Sequence, residues 1–249
     1  MKALIFIIIT LVSGANAGII LGLINQIIVE PYIDKAVNIE VQNSNKKEGE
    51  SIDPNELVIY RAWQKSGEIV AGIILGISIA ALFGIVFAYS RSSVLLLPHS
   101  DNNKKKALVL AGIMWFVLFL VPALKYPANP PAVGDPETIY YRQSLYVVLL
   151  IISGFSALVL SFLYTNKISD KSSLSKRIAI PLIYAAIILG AFLILPPNPD
   201  KITAPMDLVL GFRIASGFTM RVFWGLLALI FGLFRDRLKP HETTRIRTI

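Results

Sequence analysis

The residues of this chain that could do chemistry are oxygen donors. Glu30 and Asp34 stand four positions apart, one helical turn, and Gln26 precedes them at the same spacing. Asn129, Asp135 and Glu137 crowd into one polar stretch, and Glu68 and Asp207 sit where two further apolar segments begin. Carboxylate and amide oxygens suit hard divalent cations, whereas cobalt and nickel prefer at least some imidazole or thiolate. The chain has no cysteine, and its two histidines, His99 and His241, lie in basic segments away from these acids. Such a donor set favours weak, hydrated capture of a cation, which is compatible with passage because release stays easy. Each acid also has a plainer role. Asp135 precedes Pro136 and Asp53 precedes Pro54, the arrangement of helix N-caps, and the other acids between 30 and 68 read as a solvated surface. No H-E-x-x-H, P-loop or G-x-G-x-x-G is present, so no enzymatic constellation is visible.

A second set of polar residues falls inside apolar runs. Arg213, Gly217, Arg221 and Gly225 recur every four positions. Arg221 lies 14 residues before Arg235, hence about 21 Å along a helix. An arginine at that depth is costly and needs a partner or a function. Asn16, at a similar distance from Lys2, is one possible partner, with Ser153, Ser156 and Tyr184 as others. A clamp on backbone carbonyls is the structural alternative.

The elements that must position these residues are membrane spans. Of 249 residues, 55% are hydrophobic and 16% are charged, with a mean hydropathy of +0.64, which is not a soluble globular composition. Runs of about 18 apolar residues or more read as spanning helices. Six occur: 3–29, 69–90, 107–124, 144–164, 178–195 and 214–234. The expected fold is therefore an all-α polytopic membrane protein of six transmembrane helices in one domain over 1–249. Its net charge of +8 does not indicate nucleic acid. The basic residues concentrate in 90–107, 164–178 and the tail 235–249, which the positive-inside rule places in the cytoplasm. Both termini are then cytoplasmic, and three hairpin loops face outward. The first outer loop, 30–68, carries a polar piece over 41–51 that reads as mobile. The N-terminus imitates a signal peptide ending at Ala15-Asn16-Ala17, but the uncharged run continues to Val29.

Small residues indicate which helices touch. Gly14, Gly18 and Gly22 recur every four residues in the first span. Gly72, Gly76, Ala80, Gly84 and Ala88 do the same in the second. Such stripes let backbones approach closely without a hydrophobic driving force, so these two helices are expected to pack together or against a partner.

The chain is organised around Lys125–Arg142, which holds Pro127, Pro130, Pro131 and Pro136 in one short polar stretch. Prolines at that density forbid a helix and stiffen an extended path. Lys-Tyr-Pro-Ala-Asn-Pro-Pro-Ala-Val-Gly-Asp-Pro-Glu-Thr-Ile within it resembles the signature loop of the CbtA family of cobalt transporter subunits. The likeness extends to Glu30–Ala36, Leu82–Ala88, Phe212–Ser216 and Trp224–Leu227, and so covers most of the chain. The resemblance implies a multi-pass plasma-membrane subunit for uptake of cobalt or a related divalent metal for cobalamin synthesis. It also implies a small, histidine-bearing membrane partner, CbtB, with no tightly bound cofactor. The alternative is an accessory subunit that packs into a larger membrane complex and transports nothing itself.

Overall fold

The computed structural model describes residues 2–48, 54–90, 102–167, 174–200, 202 and 204–238. Among them there is no strand. There are seven helices: α1 (Lys2–Ile28), α2 (Glu30–Glu48), α3 (Pro54–Ser90), α4 (Asn103–Lys125), α5 (Ile139–Lys167), α6 (Leu174–Ile194) and α7 (Met206–Leu238). Five contain segments long and apolar enough to cross a membrane: Ala3–Ile28, Asn55–Ser90, Asn103–Lys125, Pro136–Tyr164 and Met206–Leu238. The apolar part of α6, Ile178–Ile194, is shorter. The Asp53 cap and both histidines lie outside the described residues.

Two helices depart from the spacing of the apolar runs. The sequence allows a single helix through Pro31, with a bend. Instead α1 stops, Val29 forms a turn, and α2 begins at Glu30. The Val29 N–H still donates to the Asn25 carbonyl at 2.7 Å, and the Val29 carbonyl accepts from Tyr32 at 3.0 Å. Pro31 thus occupies a first helical turn, where its missing N–H costs nothing. Helix α3 begins at Pro54, well before its apolar run at Ile69. Its 37 residues extend about 55 Å, against about 30 Å of hydrocarbon.

The chain divides into two compact units, 1–22 with 68–112 and 222–249, and 23–67 with 113–221. In the first, glycine faces glycine. A Cβ on Gly14 would strike the Gly76 carbonyl oxygen, and one on Gly18 would strike that of Gly72. Gly22 abuts the Ile69 backbone and Gly84 abuts the Thr10 side chain. Phe6, Phe83 and Phe87 surround Phe231 edge-on, with ring centroids at 5.8, 5.3 and 4.9 Å.

In the second unit, α4 contains a π-helical segment, Phe116–Leu120. There the Val121 N–H donates to Phe116, five residues back. In that register the Val117 carbonyl awaits the N–H of residue 122, which is a proline and has none. The fully buried Ser153 of α5 supplies the donor, its Oγ lying 2.6 Å from the Val117 oxygen and 2.7 Å from the Tyr184 hydroxyl. An unsatisfied carbonyl in a waterless interior costs several kcal/mol, so the substitute bond is what makes the π turn tolerable.

Candidate functional site

The prolines of the 125–142 stretch build a turn. Val133 N–H donates to the Pro130 carbonyl at 3.2 Å, with Pro131 second and Ala132 third at φ +69°. That is the pattern of a type II turn, whose third position normally needs glycine. Gly134 follows at φ +106°, and a Cβ there would collide with the Asp200 carboxylate. Asp135 then caps the next turn. Its side chain accepts from Glu137 N–H at 3.0 Å, with Pro136 in the first turn.

Asp200, from the segment between α6 and α7, gathers this stretch. Its side chain is fully buried and pairs with Arg142. It accepts from Asn129 Nδ2 at 2.9 Å, Thr138 Oγ1 at 3.1 Å and the Asp135 N–H at 3.1 Å. Asn129 Oδ1 in turn accepts from Arg213 at 2.7 Å, and Arg213 Nε donates to the Ala128 carbonyl at 3.1 Å. Both ends of the Asn129 amide are therefore occupied. On the other side of the stretch, Val133 packs with Ala36 of α2 and with Leu208 and Val209 of α7.

Glu30 and Asp34 share the start of α2 with the Val29 turn. Arg61 bonds both carboxylates, reaching Asp34 at 2.8 Å and Glu30 more closely. Lys65 lies 2.8 Å from Asp34 and 3.8 Å from Glu30. The four charges cancel. Gln26 donates to the Lys65 carbonyl at 2.8 Å, joining α1 to α3 at the same level. Burial pushes the Asp34 carboxyl up, but Lys65 and Arg61 outweigh it and hold it below the usual aspartate range.

The remaining candidates are dispersed. Glu68 is half-buried two turns beyond Arg61, and Glu137 is exposed. Asp207 borders a cavity of about 330 Å3, with Tyr32, Lys35 and Asn38 among its other walls. Among the described residues no three His, Cys, Asp or Glu side chains converge. Two proposed partners of Arg221 are engaged elsewhere: Asn16 donates to its own helix at Val12, 2.8 Å away, and Ser153 is bound to Val117 and Tyr184. The Arg221 guanidinium lies over the Trp115 ring, 5.5 Å from its centroid.

Sequence reasoning did not single out Arg61, Lys65, Arg142 or Asp200 as site residues. One signal was available: Arg61 and Lys65 repeat the four-residue spacing of Glu30 and Asp34 with opposite charge.

Described residues that are helix, turn or irregular, with five helices long and apolar enough to cross a membrane, define a multi-pass membrane protein. The chain belongs to the CbtA family, whose model, described as a probable cobalt transporter subunit, matches residues 4–236. No curated protein and no solved structure matches it.

Proposed function

We propose that this chain is the multi-pass subunit through which cobalt, or a related divalent metal, is taken up across the plasma membrane for cobalamin synthesis. It works with a small CbtB-like subunit. The family match over residues 4–236 carries this reading. The topology is six spans with both termini cytoplasmic and three outer hairpin loops. The bonds from Asn129 and Arg142 to Asp200 support it, because they hold the segment before α5 beside the segment after α6.

The metal first meets the chain at Glu30 and Asp34, with the Asn129–Glu137 loop packed beside α2 through Val133 and Ala36. Asp207, and Glu68 at the start of an apolar segment, are further oxygen donors. The capture site is weak because Arg61 and Lys65 already neutralise its carboxylates. An arriving divalent ion must displace them, and their return favours release. Hydrated oxygen ligation of this kind lets an ion pass on, whereas a thiolate or imidazole cage would retain it.

The test is uptake of radiolabelled cobalt by cells expressing the chain with its small partner, normalised to protein in the membrane. Glu30→Gln, Asp34→Asn and Glu137→Gln should each lower uptake at limiting metal. Full uptake in all three variants removes the capture site. No uptake by the unmodified chain with its partner present leaves it an accessory subunit.

A further inference from the structure

The apolar side chains exposed along these helices are what a lipid environment accepts, but one exposed residue is not. Arg221 lies midway along α7, eight residues beyond Arg213 and fourteen before Arg235, so about 12 Å and 21 Å from those two charges along the axis. Arg213 is fixed to the Ala128 carbonyl and Asn129. Arg235 is buried over the Phe87 ring at 4.6 Å. Arg221 is exposed, and among the described residues it has neither a carboxylate nor a carbonyl partner.

Its surroundings form a defined face. Leu210, Ile214 and Phe218 precede it along the same side of α7 at 48%, 72% and 54% exposure. Gly217, one turn before it, opens onto free space, so a Cβ there would touch nothing. Trp115 of α4 backs the guanidinium, but its one polar atom, Nε1, is itself a buried donor that finds no acceptor among the described residues. The site therefore holds a guanidinium against an aromatic ring, beside an open glycine, and among the described residues no acceptor bonds it.

We infer that this face of α7 receives a transmembrane helix of a second protein, carrying a carboxylate at mid-membrane depth that pairs with Arg221. A charge of the opposite sign satisfies an intramembrane arginine where lipid cannot. The open Gly217 lets a second backbone come close. A second copy of this chain does not supply the group: its apolar runs 3–29, 69–90, 107–124, 144–164, 178–195 and 214–234 contain no Asp or Glu, nor do residues 208–213 that lead into the last of them. The inference rests on α7 spanning a membrane, and does not require that the chain conduct metal.

The experiment places the full chain in phosphatidylcholine vesicles, labelled through Leu238→Cys in its cysteine-free background. The probes are fluorescent leucine-rich spanning peptides with a single central Glu, Leu or Lys, followed by energy transfer. The Glu peptide should associate at least tenfold more tightly than the Leu peptide. Arg221→Gln should abolish that preference, and Arg221→Glu should transfer it to the Lys peptide. Gly217→Leu should weaken the Glu peptide while leaving the thermal midpoint of the chain unchanged. Equal binding of the Glu and Leu peptides to the unmodified chain overturns the inference, as does a Glu preference that survives Arg221→Gln. Loss of the preference when phosphatidylglycerol is added assigns the site to a lipid headgroup instead. Self-association of the chain that Arg221→Gln removes assigns it to a second copy. Should the Arg221 variants fail to fold, the Gly217→Leu comparison and the peptide series on the unmodified chain still decide.

Discussion

Asp200 gathers four polar partners, where Glu30 and Asp34 share Arg61 and Lys65. A carboxylate with no exposed surface is tolerable only when its oxygens are filled, and Asn129, Thr138, the Asp135 N–H and Arg142 fill them. Removing it strands the Arg142 charge. Asp200→Ala should therefore lower stability by about 3 kcal/mol in a thermal or denaturant series in detergent. Two backbone changes in the same turn should have opposite signs. Gly134→Ala forces a methyl onto the Asp200 carboxylate at an unfavourable φ and should cost roughly 2 kcal/mol. Ala132→Gly relieves a left-handed alanine and should be neutral or stabilise by up to about 1 kcal/mol. If Gly134→Ala is as benign as Ala132→Gly, the turn is not held as described. The Asp135 cap was legible because Asp-Pro is a local signal. Asp200 was not, because Arg142 and Asn129 stand 58 and 71 positions away, and nothing local reports such a pairing.

Asp34 gives a pH dependence at the same scale. Its folded carboxyl titrates below its unfolded value, so its contribution is present above about pH 4 and disappears as pH falls through the folded value. The side chain is 41% exposed, so solvent screening keeps the effect small, about 0.5 kcal/mol. Thermal midpoints of the unmodified chain and Asp34→Asn should differ at pH 7 and converge as the pH falls below the folded value of the Asp34 carboxyl. A gap that persists at low pH would show that Asp34 acts through packing rather than charge.

At the scale of elements, the glycine stripes of α1 and α3 were readable because contact leaves a period of four in the sequence. The structure sets Gly14 against Gly76 and Gly18 against Gly72 closely enough that neither pair has room for a methyl. Gly18→Leu should prevent close packing and remove the folded protein from the membrane. Ile74→Leu, at an exposed position of α3, should be tolerated. Equal accumulation of the two variants would contradict the contact. The π segment of α4 was harder to read. Pro122 is visible in the sequence, but its consequence is an orphan carbonyl at Val117, met by Ser153 from another helix. The helix break at Val29 has a similar origin: Pro31 is visible, yet whether the chain bends or stops there depends on what α2 can pack against. Ala36 and Tyr32, set against Val133, Leu208 and Val209, supply that packing.

At the scale of the whole molecule, composition alone made an all-helical membrane chain legible, and the number of spans turns on α6. Its apolar part, Ile178–Ile194, is 17 residues, about 26 Å, slightly short of the hydrocarbon thickness. The complete helix has 21 residues, about 31 Å, which suffices if the Lys176 and Arg177 end reaches the headgroups. Charge and contact argue for a crossing. Were α6 to lie on one surface, the basic segments 164–178 and 235–249 would face opposite sides, against the positive-inside rule. Moreover Tyr126 donates to the Pro196 carbonyl at 2.6 Å and Lys125 to that of Phe192 at 2.7 Å, so the end of α6 stands beside the end of α4. Helix α5 leaves that level, and α6 must return to it. The chain lacks cysteine, so single introduced thiols report sidedness directly. Glu137→Cys and Pro197→Cys should both react with an impermeant maleimide in intact cells, as should a cysteine at Asn45. A cysteine after position 241 should react only when the membrane is opened. Labelling of Glu137→Cys without Pro197→Cys would put the two segments on opposite sides, which the bonds from Asn129, Thr138 and Arg142 to Asp200 forbid, and the six-span topology would fall with them.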